Sequence, residues 1–299
     1  MINIMETLQN LVFFKDKHIS NVIPIATGYS QDTFAVYCDK NDVYFAKYFD
    51  SENTHFAAIE KEVLHLTTDN PSTLKLLYHD VHWLVTPYLK GGNLANKVMA
   101  IDKKVTLTIE AMLSFQTTLI DSKLISPLNF SSILSFFTHR INLSASQKVL
   151  LKSILIDELL IDNASYVLCH GDLNFTNVLI TETQRVNPTL IDFECCCYAE
   201  IEYDLGMMIA INNLVKSTDL QVTLTNIEAY LTTKLISINK QRVTRYLLKS
   251  LLINGLWYLD KYNVTMDKQW LYLAFEQFNQ ADVVNGEGNI ISTMFEGVF

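Results

Sequence analysis

The amino-acid sequence predicts an α+β protein whose N-terminal third is rich in strands and whose remainder is mainly helical. Up to about residue 90 the apolar segments are dominated by β-branched and aromatic residues, which is typical of strands. From about residue 105 onward the apolar residues recur mostly at helical spacing, as they do on the buried face of a helix. Gly91 and Gly92 lie where the pattern changes.

The N-terminal third contains four predicted strands and one predicted helix. Polar residues 39–42 separate the first two strands and form a predicted hairpin turn. The helix spans residues 55–67 and has Ile59 and Val63 on one face. The predicted strands are residues 32–38, 43–49, 74–78 and 83–88.

The C-terminal part contains a further predicted hairpin and two long predicted helices. The apolar residues 177–180 and 189–191 flank a polar turn, which predicts a β-hairpin. That hairpin would return Asp192 to the same edge of the sheet as the start of its first strand. Residues 242–262 and 268–284 carry Leu, Trp, Tyr and Phe at helical spacing.

Composition restricts the classes of function. The chain has 299 residues, of which 49% are hydrophobic and 18% charged, enough for one large domain or two lobes. Its formal net charge of −9 argues against nucleic acid as a partner. The N-terminus does not resemble a signal peptide, and no run of about eighteen apolar residues predicts a membrane span. We therefore expect a cytoplasmic protein without a membrane partner, of undetermined oligomeric state.

The cysteines show no pattern of a metal site or a disulfide framework. The five are Cys38, Cys169 and the consecutive residues 195–197, and none forms a Cys-x-x-Cys pair. We expect free thiols in a reducing compartment.

Two acidic motifs are the most informative feature of the chain. Residues 170–177 read His-Gly-Asp-Leu-Asn-Phe-Thr-Asn, and residues 191–194 read Ile-Asp-Phe-Glu. In kinase-type phosphoryl transfer one Asp orients the attacking hydroxyl, while an Asn and a second Asp hold magnesium. Asp172, Asn177 and Asp192 have these residue types in this order, and oxygen donors suit magnesium. We therefore expect Asp172 to be catalytic and Asn177 and Asp192 to be metal ligands.

Together the two motifs resemble those of the aminoglycoside phosphotransferase and choline kinase superfamily, and most closely its choline, ethanolamine and thiamine kinase-like members. The resemblance extends over roughly residues 22–284 and implies a bilobal, protein-kinase-like fold. A small β-rich nucleotide-binding lobe would span residues 1–89 with a hinge at its end, and residues 90–299 would form a larger, mainly helical catalytic and substrate-binding lobe. The change of pattern near residue 90 agrees with this boundary. The resemblance also implies ATP and Mg²⁺ as cofactors.

The resemblance further implies residues that position the catalytic loop and the nucleotide. We expect His170 to brace the loop by hydrogen bonding, and Asp204 resembles the family's Asp that caps a helix and ties this loop down. Lys47, at the end of the second predicted strand, would bind the nucleotide phosphates if a carboxylate on the next helix fixes its position. Glu60 and Glu62 are both candidates for that carboxylate, and the resemblance favours Glu60.

Residues 27–34 resemble a variant of the family's phosphate-covering loop. Gly28 permits a tight turn, and Ser30 with nearby backbone N–H groups would bind a phosphate oxygen. Thr27 replaces one family glycine and Gln31 replaces the family Asn, so the detailed contacts of this loop depart from the pattern.

The acceptor is predicted from weaker features. Residues 254–258, Asn-Gly-Leu-Trp-Tyr, resemble the C-terminal helix of choline and ethanolamine kinases. Trp257 and Asp260 are substrate candidates there, because aromatic faces and nearby carboxylates bind a protonated or quaternary amine. Glu194, two residues after Asp192, is a further candidate for a substrate contact.

These features predict an ATP-dependent phosphotransferase that moves the γ-phosphate to a hydroxyl of a small, cationic molecule of the choline, ethanolamine or thiamine type. An aminoglycoside 3'-type kinase or another small-alcohol kinase is an alternative, although residues 286–299 contain only Glu287 and Glu296 as acidic residues, whereas resistance enzymes tend to have a strongly acidic C-terminal surface. A third interpretation is a catalytically silent nucleotide-binding regulatory protein. The intact acidic motifs argue against it.

Overall fold

A computed structural model describes residues 4–25, 32–118, 122–156, 166–181 and 188–296. The chain forms two compact units, the first made of Met1–Ile125 with Phe175–Cys196 and the second of Ser126–Asn174 with Cys197–Phe299. The bounds of these units show which parts of the chain pack together and do not locate a hinge. The predicted lobe boundary after residue 89 therefore stays a prediction. Among the described residues, no helix has both the length and the apolar character that crossing a membrane requires.

The described strands and helices have the following bounds. The strands are β1 (Ile19–Pro24), β2 (Asp32–Cys38), β3 (Val43–Tyr48), β4 (Tyr78–His79), β5 (Trp83–Pro87), β6 (Gly91–Asn93), β7 (Val167–Cys169), β8 (Val178–Thr181), β9 (Thr189–Leu190) and β10 (Cys197–Ala199). The helices are α1 (Ile4–Gln9), α2 (Thr54–Leu66), α3 (Ile101–Gln116), α4 (Phe130–Arg140), α5 (Ala145–Leu155), α6 (Ile201–Ile211), α7 (Leu214–Ser217), α8 (Leu220–Thr233), α9 (Lys240–Thr265), α10 (Lys268–Asn285) and α11 (Ile290–Glu296).

The first unit contains a five-stranded antiparallel sheet in the order β1-β2-β3-β5-β4. The predicted hairpin is confirmed as β2 and β3, and the predicted helix is confirmed as α2. Phe34, Val36, Ala46, Trp83 and Val85 belong to one buried cluster against the sheet. Burial of such side chains stabilises the sheet by about 1.5–3 kcal/mol each.

The predicted strand at residues 74–78 is mostly wrong, because only Tyr78 and His79 form the short edge strand β4. Just before this segment the Ser72 carbonyl accepts a hydrogen bond from the Leu190 N–H at 2.8 Å. The chain is therefore tied to β9, outside the five-stranded sheet, at that point. It joins the edge of the sheet only at Leu77, whose N–H donates to the Val85 carbonyl at 2.9 Å.

A second antiparallel sheet of the first unit contains the two strands that lie between the two acidic motifs in the chain. Its order is β6-β8-β9, and β8 with β9 confirms the second predicted hairpin; its turn, residues 182–187, lies outside the described residues. Beyond β9, the Ile191 N–H donates to the Asn177 carbonyl at 3.0 Å. This hydrogen bond places Asp192 directly after a backbone contact with Asn177, as the sequence predicts.

The second unit is built mainly from α6, α9 and α10, with β7 and β10 as a two-stranded sheet. Both long predicted helices are confirmed as α9 and α10. Helix α6 is buried throughout Glu202–Ala210. A Cβ atom on Gly206 would lie 2.6 Å from the Leu247 nitrogen in α9, which is inside van der Waals contact. The glycine therefore permits the close approach of α6 and α9.

Candidate active site

Lys47 lies at the centre of three carboxylates in the first unit. Its Nζ is 2.7 Å from Glu60 Oε2, 2.6 Å from Asp192 Oδ1 and 3.4 Å from Glu194 Oε2. Only 4% of Lys47 is exposed. The predicted ion pair of Lys47 with Glu60 is therefore present, whereas its role toward a nucleotide stays a prediction.

Alternation along β3 explains why Lys47 reaches α2. Successive strand residues point to opposite faces; Ala46 packs into the buried cluster, so Lys47 faces the other side, where it meets Glu60 of α2. The alternative partner Glu62 lies on the same helix, but its Oε1 accepts a hydrogen bond from Ser122 Oγ at 2.8 Å. Of the two candidates, Glu60 is thus the one that pairs with Lys47.

Asp192 and Glu194 flank Phe193 in the chain, and the ring of Phe193 is buried. Asp192 has φ 70°, the left-handed region in which Asp is among the better-tolerated residues. Phe193 is 1% exposed and stacks on Phe115 with ring centroids 5.2 Å apart. The ring anchors the motif in the core, while 29% of the Asp192 side chain and 16% of the Glu194 side chain remain accessible.

The cluster contains one cation and three carboxylates, and this imbalance shifts their ionisation. Burial alone would lower the pKa of Lys47, but the charges of Asp192, Glu60 and Glu194 raise it well above its ordinary value. Burial raises the pKa of Glu60 to about 7, opposed by Lys47 and assisted by the negative charges of Asp192 and Glu194. When all four groups are ionised, the cluster carries a net negative charge that a further cation would neutralise.

The same carboxylates fit a divalent metal ion. One oxygen each from Glu60, Asp192 and Glu194 lies within 4.8 Å of the others. Carboxylate oxygens are the donors that Mg²⁺ prefers. Asn177, a predicted metal ligand, is 8% exposed and is linked to this region through the Ile191 backbone. The donor set therefore suits magnesium, and ligation by Asn177 and Asp192 stays a prediction.

In the second unit, a buried carboxylate ties down the loop that carries Asp172. Asp204, in the first turn of α6, is 0% exposed. Its carboxylate accepts the N–H of His170 at 3.0 Å and the N–H of Gly171 at 2.9 Å. Hydrogen bonds to ionised acceptors are about twice as strong as neutral ones. The predicted tie of Asp204 to this loop is confirmed, whereas the predicted helix cap is wrong, because Asp204 lies inside α6 and the N-cap position is Glu200.

Hydrogen bonds within the loop fix the backbone on both sides of Asp172. The Asp172 N–H donates to His170 Nδ1 at 3.2 Å, and the Asn174 N–H donates to the Asp172 carbonyl at 2.8 Å. His170 is 0% exposed and accepts this hydrogen bond through Nδ1. The ring therefore braces the loop, as predicted.

Trp257 and Asp260, the substrate candidates on α9, each contact a cation of the chain itself. The Lys261 Nζ lies 4.9 Å from the Trp257 ring centroid. Arg140 Nε lies 2.9 Å from both carboxylate oxygens of Asp260. The Trp257 ring also makes an edge contact with Trp270 at 5.8 Å between centroids. This corner of α9 therefore already holds cations, and its role toward a substrate stays a prediction.

The predicted site residues are distributed over both units. Lys47, Glu60, Asn177, Asp192 and Glu194 belong to the first unit; the second contains Asp172, Trp257 and Asp260. The predicted phosphate-loop residues Gly28 and Ser30 lie outside the described residues.

Sequence reasoning missed two contacts of this machinery. Lys47 was expected to pair with Glu60 but also bonds Asp192, which is 145 residues away in the chain. Glu194 was expected near a substrate, and the structure places it beside Lys47. The Asp-x-Glu spacing, which puts two carboxylates on one short segment, is the signal from which a shared cation could have been inferred.

Comparison with known proteins identifies the family of this chain. A model of the phosphotransferase enzyme family matches residues 21–236. Because this range is well over half of the chain and includes both acidic motifs, the chain belongs to the phosphotransferase enzyme family. It is therefore a small-molecule phosphotransferase. A comparison with curated proteins finds no significant match.

Solved structures confirm the predicted kinase-like fold. Choline kinase LicA from Streptococcus pneumoniae is 16% identical with a TM-score of 0.72, over 94% of this chain and 98% of that chain. An ethanolamine kinase from Plasmodium vivax is 15% identical with a TM-score of 0.69, over 95% of this chain and 88% of that chain. APH(2")-IIia, solved with GDP and kanamycin, is 14% identical with a TM-score of 0.68, over 95% of this chain and 99% of that chain. At such identities the likeness shows the fold alone.

Proposed function

We propose that this phosphotransferase moves the γ-phosphate of ATP to a hydroxyl of a small, cationic molecule of the choline, ethanolamine or thiamine type. The observation that carries the proposal is the Lys47 cluster. Kinase-type chemistry needs a lysine for the phosphates, a glutamate that fixes this lysine, and an Asp that ligates the metal. Lys47 touches Glu60 and Asp192 at hydrogen-bond distance, which is the arrangement that this chemistry requires.

Nucleotide binding is assigned to residues of the first unit. Lys47 binds the phosphates of ATP, and Glu60 holds the lysine side chain in position. Asn177 and Asp192 ligate magnesium, which when bound neutralises the charge on the phosphate oxygens. Gly28 and Ser30, which lie outside the described residues, are the proposed further contacts for the phosphates. The backbone of residues 86–89 is the proposed contact for the adenine edge.

Asp172 is the proposed catalytic residue. Its carboxylate accepts a hydrogen bond from the acceptor hydroxyl, directs the oxygen at the γ-phosphorus and takes the proton as the new bond forms. This role requires a carboxylate that is held in position, and it does not require a shifted pKa. The hydrogen bonds of Asp204 to His170 and Gly171 support it, because they fix the backbone immediately before Asp172.

Three observations support a cationic acceptor. The chain carries a formal net charge of −9, which favours approach of cations. The Trp257 ring already binds Lys261, and the Asp260 carboxylate, three residues further along α9, already pairs with Arg140. Choline and ethanolamine kinases are among the proteins with this fold. A substrate ammonium would use the same cation–π attraction that Lys261 uses.

An aminoglycoside kinase is the second candidate. APH(2")-IIia in a complex with GDP and kanamycin shares the fold over 95% of this chain. Aminoglycosides are also polycationic alcohols, so the charge argument applies to them equally. Only a comparison of acceptors separates the two candidates.

The test is ADP release from ATP and magnesium with choline, ethanolamine, thiamine, homoserine and several aminoglycosides as acceptors. Asp172→Asn serves as the matched control, since it keeps the shape of the side chain and removes the basic carboxylate. We expect stimulation by an amino alcohol that disappears in the control. Stimulation by aminoglycosides alone would replace the proposed acceptor class. ATP binding without stimulation by any acceptor would favour a nucleotide-binding regulatory protein instead.

A further inference from the structure

The catalytic loop is held by α6 on both sides of Asp172, and only one of the two contacts was expected. Before Asp172, the Asp204 carboxylate binds the N–H groups of His170 and Gly171. After Asp172, the side-chain amide of Asn212 donates from Nδ2 to the Leu173 carbonyl at 3.0 Å. We infer that Asn212 is a positioning residue that fixes Asp172 for phosphoryl transfer. The inference rests on the proposed function.

The Asn212 amide is itself held at the end of α6. Its Nδ2 also donates to the carbonyl of Met208 in the same helix at 2.8 Å. An amide nitrogen has two hydrogens, and two carbonyl oxygens lie within hydrogen-bond distance to accept them. This arrangement fixes the plane of the amide and therefore the position of the Leu173 carbonyl. An aspartate at this position would have no hydrogen to offer and would face both carbonyl oxygens.

The next residue anchors this helix end to α10. Asn213 has φ 52°, a left-handed conformation that costs free energy for most residues. Its Oδ1 accepts hydrogen bonds from Gln277 Nε2 at 2.9 Å and from Gln280 Nε2 at 2.8 Å. Both glutamines are buried, at 3% and 5% exposure. These two hydrogen bonds from buried donors tie the end of α6 that carries Asn212 to α10.

A contact after Asp172 is needed because the residue before it is conformationally permissive. Gly171 has φ 78°, and a glycine loses little by rotating away from such a conformation. The hydrogen bonds of the Asp172 and Asn174 N–H groups lie within the loop and do not link it to α6. The hydrogen bond from Asn212 to the Leu173 carbonyl ties the residues after this glycine to α6. Misplacement of a reacting group by about 1 Å can reduce the rate by about 10²-fold.

The first test is kinetic and uses Asn212→Ala with choline as acceptor. We expect kcat to fall by about 10- to 100-fold, with the KM values for ATP and choline unchanged, because the residue touches neither. The matched control is Asn239→Ala, which removes another helix-capping amide of the same unit, one that accepts from the Arg242 N–H at 3.2 Å. The control is expected to keep its kcat. An active wild type with an unchanged kcat in Asn212→Ala would overturn the inference.

A double mutant separates positioning from general damage to the fold. If Asn212 acts through Asp172, adding Asn212→Ala to the Asp172→Asn variant leaves the residual rate unchanged, because groups that act as a unit are not additive. An equal fold-loss in both backgrounds would assign Asn212 a purely structural role. Asn212→Gln, which keeps the amide but displaces it by one methylene group, provides a second variant should the alanine variant fail to fold, and a loss of kcat is again expected.

A final measurement is independent of any acceptor. Native-state hydrogen exchange at the amides of Asp172 and Asn174 reports opening of the loop. We expect exchange at least about tenfold faster in Asn212→Ala than in wild type, and no change in Asn239→Ala. Equal exchange in all three proteins would overturn the inference. If the wild type does not phosphorylate choline but the exchange result holds, the acceptor assignment fails while the positioning contact stands.

Discussion

The two units hold their functional residues by contrasting means. In the first unit, the long side chain of Lys47 is shared among three carboxylates, two of which are partly accessible. In the second unit, the loop around Asp172 is held through its backbone by Asp204 and Asn212. The first arrangement depends on charge, with one ammonium group among three carboxylates. The second depends on hydrogen bonds to backbone groups of the loop.

This contrast matches what phosphoryl transfer asks of each part. Nucleotide and metal enter and leave in every cycle, so their site benefits from a cation that can shift when another arrives. The group that aligns the acceptor hydroxyl benefits from staying in place, because alignment is most of its contribution. A site that binds a further cation needs surplus negative charge, as around Lys47. Such a cluster is less stable while that cation is absent.

The largest expected effect comes from Lys47→Met. Removal of one preorganised electrostatic contact lowers rates by about 10²–10³-fold, and we expect that loss in kcat/KM for ATP. It also leaves buried carboxylates without their cation, which costs about 3–5 kcal/mol of unfolding free energy. Steady-state kinetics and urea unfolding measure the two effects, and added magnesium should restore part of the stability.

Lys61→Met is the matched control for that substitution. Lys61 lies on α2. Its Nζ is 5.5 Å from the ring centroid of Phe49, and the Nζ of Lys47 is 4.9 Å from the same centroid. It bonds backbone carbonyls of Asp80 and Val81 rather than carboxylates. Equal losses in the two variants would contradict a special role for the Lys47 cluster.

The next effect concerns the rigid side of the comparison. Asp204→Asn replaces one carboxylate oxygen by an NH₂ group that faces a backbone N–H, and hydrogen bonds to charged groups contribute about 1.5–3 kcal/mol each. We expect unfolding free energy to fall by about 3 kcal/mol and kcat to fall with it. Added magnesium should give no recovery, in contrast to Lys47→Met. If magnesium restored the unfolding free energy of Asp204→Asn, the proposed difference between the two regions would be contradicted.

A pH dependence of stability follows from the raised pKa of Glu60. Because the folded-state pKa of Glu60, about 7, lies above its ordinary value of 4.5, the stabilisation linked to this proton is full below pH 4.5 and is lost as pH rises through about 7. Wild type should therefore lose stability relative to Glu60→Gln over that interval. Thermal unfolding of both proteins between pH 4.5 and 8 measures the difference. If the stability of wild type relative to Glu60→Gln instead rose with pH, the prediction would be contradicted.

The smallest expected effect concerns the acceptor. Trp257→Ala removes an aromatic face whose attraction for a cation is about 0.5–2 kcal/mol, so the acceptor KM should rise by roughly 2- to 30-fold. The KM for ATP should stay constant, because Trp257 belongs to the second unit. Initial rates over a grid of both substrates measure the two constants separately. A rise in the KM for ATP alone would remove Trp257 from the acceptor site.

Local patterns and chemically constrained motifs made much of this molecule predictable. The hairpin of β8 and β9 is predicted by two apolar runs around a polar turn. The roles expected of Asp172, Asn177 and Asp192 come from the residue types and the order that kinase-type phosphoryl transfer needs. The Lys47 to Glu60 pair was predicted through the family resemblance. Each of these features depends on short segments or on residue types that one reaction demands.

Long-range and edge features escaped prediction. Asp192 meets Lys47 across 145 residues of sequence, and no local pattern encodes that distance. Asn212 ends a helix like many asparagines, and only the fold shows that its amide reaches Leu173. Residues 74–76 have strand-like composition, yet Ser72, two residues before them, bonds Leu190 and keeps them outside the five-stranded sheet. Tertiary contacts decided all three.

The most direct test of the account is calorimetric titration of ATP, with and without magnesium, into Asp172→Asn. This background prevents turnover, so binding alone is measured. We predict that magnesium strengthens ATP binding, that adding Asp192→Asn abolishes most of this gain, and that adding Lys47→Met weakens ATP binding with or without magnesium. ATP binding that is indifferent to magnesium, or unaffected by both substitutions, would contradict the assignment of the Lys47 cluster to the metal–nucleotide site.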